Sequence, residues 1–351
     1  MGERFLVVGG DAAGLSAASK ARRDAPDVDV TVFERSNWAS FGACGLPYYV
    51  QGEIATLDEL TVMEPRRLVE ERGIDLRRRH EVVDVDRAAR TVTVESETGR
   101  YEEAYDHLLL ATGAHAPVPD VPGADLDGVF SVRSPEAGRA LKNYVAHHEA
   151  RPVRGVARDR DRVRSGLDRG DVETVGIVGA NKIGVELAEA FLGRGLDVHV
   201  FESGTRVLPS FGRDVAEMVE DHLREAGVDL HLRRSVERFH GRDGRVTDVE
   251  TSDGAVAVDA VVADVGVEPN VDLAVGAGIE LGETGAIATD EYGRTNDPVV
   301  YAAGDCAEKR PASPGRRSTG PTGWRPTARG GPSDGPSRAD PRPSASSSGR
   351  S

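Results

Sequence analysis

The sequence predicts an α/β fold, because one pattern of strand, glycine-rich turn, helix and strand occurs twice in 351 residues. In each copy a short apolar run leads into glycines, a helical segment follows, and a second apolar run ends in glutamate. A further apolar run ending near a glycine comes later in each copy. This order is typical of Rossmann-like units, which bind a dinucleotide at the turn. We therefore predict two Rossmann-like, three-layer units.

The first unit begins with an apolar strand, Phe5–Val8, and an Ala-rich helix runs to about Arg23. The residues predicted to contact pyrophosphate are Gly9, Gly10, Asp11, Ala12, Ala13 and Gly14. Small residues let the backbone approach phosphates, and the helix start offers unpaired N–H groups. The strand Val28–Phe33 ends in Glu34, which lies 20 residues after Gly14. That spacing predicts a carboxylate that binds ribose hydroxyls.

The second unit repeats this order, with a strand ending at Val178 and another, Val198–Phe201, ending in Glu202. Its predicted turn residues are Gly179, Ala180, Asn181, Lys182, Ile183 and Gly184. A carboxylate at Glu202 favours a free 2′-hydroxyl, so NADH is preferred over NADPH. Asn181 replaces the usual middle glycine and crowds the pyrophosphate, which weakens the predicted site. A βαβ unit with an accidental glycine turn stays open as the alternative.

Each unit also contains a later apolar run that ends near a glycine. LLLATGA (Leu108–Ala114) and VVADVGVEPN (Val261–Asn270) predict the last strand of each unit, with backbone facing the ligand. The strand Val299–Ala302 then delivers Gly304 and Asp305. An aspartate beside a glycine at a strand end can accept hydrogen bonds from a sugar or ribitol, although a bare Gly-Asp pair is commonly a turn.

The stretch ASFGACGLPYY contains Cys44, one of two cysteines; the other is Cys306. Free cysteine is commonly a small buried hydrophobe, and it is also the most nucleophilic side chain, so both interpretations of Cys44 are open on composition alone. Two distant cysteines give no disulfide framework, which indicates a reducing cytoplasm. The nine histidines show no metal-ligand spacing, and no metal is expected.

The formal net charge is −15, and arginine supplies 40 of the 44 basic residues. An acidic surface disfavours nucleic acid, and no apolar stretch reaches membrane-spanning length, so we expect neither partner. Excess carboxylate with little lysine suits high salt and favours a halophilic source; GC-rich codon usage is the alternative.

Two segments differ in composition from the rest. Residues 151–171 are rich in Arg and Asp, and we predict a surface insertion there. Residues 309–351 contain no Leu, Ile, Val, Met, Phe or Tyr, and nine Lys or Arg face two Asp. We predict a disordered basic tail, because such a segment buries no core. A nucleic-acid arm is one explanation of this tail, and an altered reading frame or truncated gene is the one we favour.

Together the motifs VVGGDAAGLSAA, TVFER, SFGACGLPYY, ATGA, the second glycine turn and YAAGDCAE resemble the pyridine nucleotide–disulfide oxidoreductases over roughly residues 4–308. The single Cys44 in the form SFxxCGLPY is similar to the branch of coenzyme A-disulfide reductases, NADH oxidases and peroxidases. With the composition, this favours a haloarchaeal member.

The resemblance implies interleaved domains. Residues 1–117 and 269–308 would form an FAD domain, and residues 118–268 an NAD(P)H domain. Family members continue with a C-terminal interface domain that makes a homodimer. In this sequence the tail stands there, so we expect that domain to be missing.

The resemblance also implies a mechanism in which NADH reduces the flavin and the flavin reduces a sulfur bond at Cys44. Coenzyme A disulfide or a similar small disulfide is the implied substrate; the alternatives are an oxidase or peroxidase acting on oxygen or peroxide, or a truncated, impaired flavoprotein. Further implied FAD contacts are Arg35, Ser40, Val82, Ala111, Thr112 and Gly113, and Gly266 is implied for NAD(P)H. Implied coenzyme A contacts are Ser16, Lys20, Arg23, Ser40 and Arg72. Considered alone, Lys20 and Arg23 are ordinary solvated residues. Ala43 stands where the reductases usually have asparagine, which keeps the oxidase alternative open, and Lys182 stands where an aromatic residue is common.

Overall fold

The computed structural model describes residues 2–146 and 172–309. The predicted insertion at 151–171 and the tail after Lys309 lie outside these residues. In the described part, no helix is long and apolar enough to cross a membrane.

The elements are numbered in chain order. The strands are β1 Arg4–Val8, β2 Asp29–Glu34, β3 Asp75–Arg78, β4 His80–Asp86, β5 Thr91–Ser96, β6 Gly99–Ala104, β7 His107–Leu110, β8 Ala114–His115, β9 Val129–Ser131, β10 Thr174–Val178, β11 Asp197–Glu202, β12 Asp229–Leu232, β13 Val236–Arg242, β14 Arg245–Thr251, β15 Gly254–Ala257, β16 Ala260–Ala263, β17 Glu268–Pro269, β18 Ile287–Thr289, β19 Val300–Ala302 and β20 Ala307–Lys309. The α-helices are α1 Ala12–Asp24, α2 Leu46–Gln51, α3 Pro65–Glu70, α4 Pro135–Val145, α5 Lys182–Gly193, α6 Arg213–Glu225 and α7 Asp272–Gly276, with 3₁₀ turns at Ala43–Gly45 and Leu57–Leu60.

The first sheet is parallel, in the order β19-β7-β1-β2-β3. Its central strand β1 is apolar in consecutive positions because both faces are covered. Phe5 and Val7 pack against α1 on one face. Leu6 and Val8 share a core with the antiparallel sheet β4-β5-β6 on the other face. The unit therefore has three layers, as predicted.

The second sheet repeats this arrangement in the order β12-β11-β10-β16-β9, also parallel. Val175 and Ile177 of β10 pack with apolar residues of α5. Val178 faces the other way, into a core with the antiparallel sheet β13-β14-β15. The predicted α/β fold with two Rossmann-like units is confirmed.

The chain crosses between the units through one short antiparallel ladder. In this ladder β8 pairs with β17, with Ala114 opposite Pro269 and His115 opposite Glu268. Residues before β8 and after β17 include strands of the first sheet, and residues between them form the second. We retain the boundaries after 117 and 268 as a proposal that this ladder supports.

For the strands that lead into and follow the two glycine turns, predicted ends differ from the observed ends by about one residue, whereas within Leu108–Ala114 and Val261–Asn270 the strands already end at Leu110 and Ala263. Strand β2 begins at Asp29 rather than Val28, because Asp29 is the residue paired with Arg4 of β1. Strand β19 begins at Val300 rather than Val299, and β11 is one residue longer at each end than predicted. Strand pairing sets these ends, and a pattern of apolar residues does not specify it.

Candidate active site

The glycine turn of the first unit is shaped by close backbone contacts. Gly9 has a φ of 116°, and a Cβ at this position would lie 2.1 Å from the carbonyl oxygen of Ala111. A Cβ on Gly14 would lie 2.0 Å from the carbonyl oxygen of Gly9, so helix and turn touch. Glycine at both positions leaves the start of α1 open to a phosphate group, as a dinucleotide site requires.

Glu34 lies beside this turn at the end of β2. Its Oε2 accepts the N–H of Gly10 and its Oε1 accepts the N–H of Ser36, each at 2.8 Å. The predicted ribose-binding carboxylate therefore also fixes the turn. Each oxygen has a second lone pair available for a ligand hydroxyl.

A cavity of about 280 Å³ lies beside Glu34's strand. Its lining is Val8, Phe33, Arg35, His80, Glu81, Val82, Val83, Thr112, Asn270, Asp272 and Leu273. Three of these, Arg35, Val82 and Thr112, are predicted FAD contacts. Asn270 was missed: its Nδ2 donates to the carbonyl oxygen of Thr112 at 2.8 Å. Its place at the end of VVADVGVEPN was the available signal.

The Gly-Asp pair after β19 reaches the same turn. A Cβ on Gly304 would lie 2.9 Å from the Cβ of Ala13, so this loop packs on the start of α1. Asp305 forms an ion pair with Arg133, whose Nε also donates to the carbonyl oxygen of Ala114 at 2.9 Å. Sequence reasoning missed Arg133, because nothing in its local pattern indicates a contact 172 residues away.

The cysteine loop is tied to the first glycine turn. The N–H of Ser40 donates to the carbonyl oxygen of Gly10 at 2.8 Å, and the N–H of Phe41 donates to Asp11 Oδ1 at 2.9 Å. Burial raises the pKa of Asp11, the Phe41 hydrogen bond opposes this, and Glu34 adds to the rise. These two bonds place the loop that leads to Cys44 against the predicted flavin turn.

The two cysteines occupy opposite environments. Cys44 is exposed in the 3₁₀ turn Ala43–Gly45, immediately before α2. The interpretation of Cys44 as a buried hydrophobe is therefore wrong. Cys306 is fully buried, and its Sγ donates to the carbonyl oxygens of Leu110 at 3.5 Å and Ala303 at 3.4 Å. Only Cys44 can meet a dissolved substrate.

Helix α2, which follows Cys44, packs against the second unit rather than the first. Leu46, Tyr49 and Val50 belong to the core that contains α4 and α5. Lys142 of α4 is buried there, with Nζ 3.7 Å from the centroid of the Tyr49 ring and 3.2 Å from the carbonyl oxygen of Ile54. The pKa of Lys142 is lowered to about 8, mainly by burial and also by nearby Arg194, while Glu59 opposes both. The cysteine loop is thus held between both units.

A second cavity, of about 540 Å³, opens between α1, the cysteine loop and α3. All five predicted coenzyme A contacts line it: Ser16, Lys20, Arg23, Ser40 and Arg72. The remaining lining residues are Ala12, Leu15, Ser19, Phe41, Val62, Met63 and Leu68. Lys20 is ion-paired with Asp24 one helical turn on, so this cation has a protein partner. The cleft combines three cations with apolar wall.

The second glycine turn has the same backbone geometry as the first. Gly179 has a φ of 102°, and its Cβ would lie 2.1 Å from the carbonyl oxygen of Asp264. Glu202 accepts the N–H of Ala180 at 2.9 Å and of Gly204 at 2.6 Å. The Asn181 side chain donates to the carbonyl oxygen of Asp264 at 3.1 Å.

Other predicted contacts of the second unit surround this turn. A Cβ on Gly184 would lie 2.3 Å from the carbonyl oxygen of Gly179. Lys182 holds its ammonium 5.5 Å from the centroid of the Phe211 ring. Ile183 is partly buried against the core, and Gly266 has a φ of 110° with open space where a Cβ would stand. In residues 2–146 and 172–309 no group of three His, Cys, Asp or Glu is placed to hold a metal ion.

Both glycine turns have the backbone geometry that Rossmann-like units use to approach a dinucleotide, and the loop that leads to the exposed Cys44 is hydrogen-bonded to the first of them. The model of the family described as "Pyridine nucleotide-disulphide oxidoreductase" matches residues 3–322. The chain therefore belongs to the pyridine nucleotide-disulphide oxidoreductase family.

Several proteins of named activity are similar to this chain in sequence or structure. A "NAD(P)H sulfur oxidoreductase (CoA-dependent)" of Pyrococcus abyssi is 38% identical over 313 residues, covering 89% of this chain and 64% of that protein. An "NADH oxidase" of Methanocaldococcus jannaschii is 33% identical over 322 residues, covering 91% of this chain and 66% of that protein. The solved structure of a NAD-dependent persulfide reductase from A. fulgidus superposes with a TM-score of 0.77 at 34% identity, covering 87% of this chain and 53% of that one. The chain thus spans under two thirds of the length of these relatives.

Proposed function

We propose that this chain is a single-cysteine, FAD-dependent oxidoreductase that passes electrons from NAD(P)H through flavin to Cys44. Coenzyme A disulfide, or a similar low-molecular-weight disulfide or persulfide, is the proposed acceptor. The observation that carries the proposal is the cleft of about 540 Å³, lined by all five predicted coenzyme A contacts. The Pyrococcus relative's name, which includes "CoA-dependent", supports this choice.

The first unit fits FAD. Gly9 and Gly14 leave the start of α1 free for pyrophosphate, and Glu34 offers lone pairs to ribose hydroxyls. Asp305, opposite Arg133, is the proposed acceptor for ribitol hydroxyls. When bound, FAD accepts hydride from the nicotinamide and supplies the electron pair that reduces sulfur.

The second unit fits NAD(P)H in the same way. Its turn, from Gly179 to Gly184, offers backbone N–H groups to pyrophosphate, and Glu202 stands where a ribose 2′-hydroxyl would bind. A 2′-phosphate would meet the charge of Glu202, so we propose that NADH is preferred.

Cys44 performs the proposed sulfur chemistry. Its thiolate attacks one sulfur of coenzyme A disulfide, the S–S bond breaks, and one coenzyme A thiolate leaves. The resulting mixed disulfide on Cys44 takes up an electron pair and one proton, which releases the second coenzyme A and restores the thiolate. Lys20, Arg23 and Arg72 are the proposed partners of the ligand's phosphates, and none of the lining residues is a carboxylate. Asp24 outside the lining pairs with both Lys20 and Arg23, so Arg72 is the cation that this carboxylate leaves to the ligand.

An NADH oxidase or peroxidase is the second candidate. Ala43 beside the cysteine and the name of the Methanocaldococcus relative favour it. In that reaction the Cys44 thiolate attacks one oxygen of peroxide, the O–O bond breaks, and water leaves as a sulfenate forms on Cys44. An electron pair that comes from NAD(P)H and two protons then restore the thiolate and release a second water. The cleft lined by Arg72 has no function in an oxidase or peroxidase, and we therefore rank this candidate second.

Replacing Cys44 with serine tests the cysteine. We expect Cys44→Ser to abolish NADH oxidation that depends on coenzyme A disulfide, while flavin stays bound and the protein stays yellow. Cys306→Ser is the matched control, because that thiol is buried and should leave turnover in place. The full chain is purified in high salt, and NADH consumption is followed with and without disulfide. Turnover that survives Cys44→Ser would refute the assignment, and fast consumption with oxygen alone would favour the oxidase.

Replacing Arg72 with glutamine tests the cleft. We expect the KM for coenzyme A disulfide to rise about tenfold, because one charge-assisted phosphate contact is lost, and the KM for cystine, which has no phosphate, to stay the same. Arg66→Gln is the control: Arg66 is exposed on α3 and does not line the cleft. An equal effect of Arg72→Gln on both disulfides would show that the cleft does not select coenzyme A.

A further inference from the structure

One residue distinguishes the two otherwise similar glycine turns. Strand β7 pairs with β1 so that Leu110 lies opposite Val8, and β16 pairs with β10 so that Ala263 lies opposite Val178. The next residues, Ala111 and Asp264, therefore occupy equivalent positions. In each unit the carbonyl oxygen of this residue lies under the first glycine of the turn. The position carries a methyl group in the first unit and a carboxylate in the second.

The carboxylate of Asp264 is aimed at the start of α5. Its Oδ2 accepts the N–H of Gly184, the third residue of this helix, at 2.8 Å. Asn181, which precedes the helix, makes no side-chain capping bond. The first N–H groups of a helix lack intrahelical partners, and in Rossmann-like units they receive the pyrophosphate. A carboxylate thus occupies the neighbourhood that a dinucleotide phosphate would approach.

The charges around Asp264 are mostly of its own sign. Its pKa is raised to about 6, mainly by burial; the hydrogen bond from Gly184 opposes the rise, and Glu202 of β11 and Glu186 of α5 contribute to it. Glu186 itself has a pKa raised by burial and by Glu189. The basic residue of this turn, Lys182, lies against Phe211. Asp264 accordingly changes charge within the range in which enzymes are assayed.

We propose that Asp264 links dinucleotide binding to a proton: the ionised carboxylate repels the pyrophosphate at the start of α5, and the protonated carboxyl admits it. The inference rests on the proposed function only in that the second unit must bind NAD(P)H. Bringing two phosphate charges close to Asp264 stabilises its protonated form, so binding takes up a proton. Affinity then falls as the pH rises above 6. The first unit, with Ala111, has no equivalent group at this position.

The test is calorimetric titration of the full chain with NAD⁺, which leaves the flavin oxidised, at constant ionic strength. We expect the Kd for NAD⁺ to rise about five- to tenfold from pH 5.5 to pH 8. A rise of this size corresponds to a pKa of Asp264 that increases by about one unit when NAD⁺ binds. Asp264→Asn should remove this dependence and hold the Kd near the low-pH value of the parent protein. Asp197→Asn, an exposed carboxylate at the far end of β11, should follow the parent protein.

Proton uptake gives a second readout that needs no variant. At pH 6.5 the binding enthalpy of the parent protein should differ between buffers of different ionisation enthalpy. Equal enthalpies, or a Kd profile unchanged by Asp264→Asn, would overturn the inference while leaving NAD(P)H binding intact. A chain that binds NAD⁺ at no pH, with aspartate or asparagine at this position, would overturn both the inference and the proposed second cofactor.

Discussion

The two glycine turns of this molecule share a backbone and differ in charge. A Cβ on Gly9 or on Gly179 would lie 2.1 Å from a carbonyl oxygen of the neighbouring strand in both units. In both units a glutamate at the end of the next strand holds the turn through backbone N–H groups. Steric necessity fixes these features, and they recur wherever a helix must start this close to a strand.

The side chains around the two turns form different hydrogen bonds. In the first turn Asp11 accepts the N–H of Phe41 and so ties the cysteine loop to the predicted flavin position. In the second turn the corresponding residue, Asn181, donates instead to the carbonyl oxygen of Asp264 in the neighbouring segment of its own unit. This difference fits the proposed division, in which the first turn holds the flavin beside Cys44 and the second binds an NAD(P)H that exchanges with solution.

The largest expected effect comes from breaking each backbone turn separately. Gly9→Ala should abolish flavin retention and lower stability by more than about 2 kcal/mol, because the new Cβ meets a carbonyl oxygen at a positive φ. Gly179→Ala should weaken NAD⁺ binding by at least tenfold while the protein stays yellow. Flavin absorbance, NAD⁺ titration and thermal melting measure the two outcomes.

These two variants control for each other. Because the clash distance is the same in both units, a general loss of folding would affect them equally. Loss of flavin from Gly179→Ala would contradict the independence of the two sites. Unchanged NAD⁺ binding in that variant would contradict the placement of the dinucleotide at the second turn.

Much of this architecture is predictable because its signals are local. The parallel strands on either side of each turn, both turns and the glutamates at 34 and 202 follow from residues that are close in sequence, and the structure has them in the predicted elements, whereas the antiparallel sheets β4-β5-β6 and β13-β14-β15 were not predicted. The five coenzyme A candidates, implied by family resemblance, line one cleft although Ser16 and Arg72 are 56 residues apart.

The residues that sequence reasoning missed act across long distances or by burial. Arg133 reaches Asp305 only because the second unit is inserted between the two parts of the first. Lys142 looks like an ordinary helix cation, and only packing against Tyr49 reveals that it is buried. Asp264 lies in the segment Val261–Asn270, which the sequence singles out, but its hydrogen bond to Gly184 depends on which strand pairs with β10. Such contacts follow from topology, which apolar periodicity does not encode.

Replacing Glu34 or Glu202 with glutamine should have a smaller effect, and the two replacements should differ in how they change nucleotide preference. Both carboxylates accept two backbone N–H groups, so Glu34→Gln and Glu202→Gln are a matched pair with equal structural cost. Glu202→Gln removes a charge that would repel a 2′-phosphate, and we expect the ratio of NADPH to NADH affinity to rise about tenfold. Glu34→Gln should loosen flavin and leave that ratio unchanged.

Titration of each variant with NAD⁺ and NADP⁺ measures the ratio directly. The comparison is informative because absolute affinities fall in both variants when an N–H group of the turn loses its acceptor. The ratio cancels this shared loss and isolates the charge. A ratio that rises equally in both variants would mean that turn geometry, rather than the charge of Glu202, discriminates between the nucleotides. A ratio that moves only with Glu202→Gln would assign the choice of nucleotide to the second turn and retention of flavin to the first.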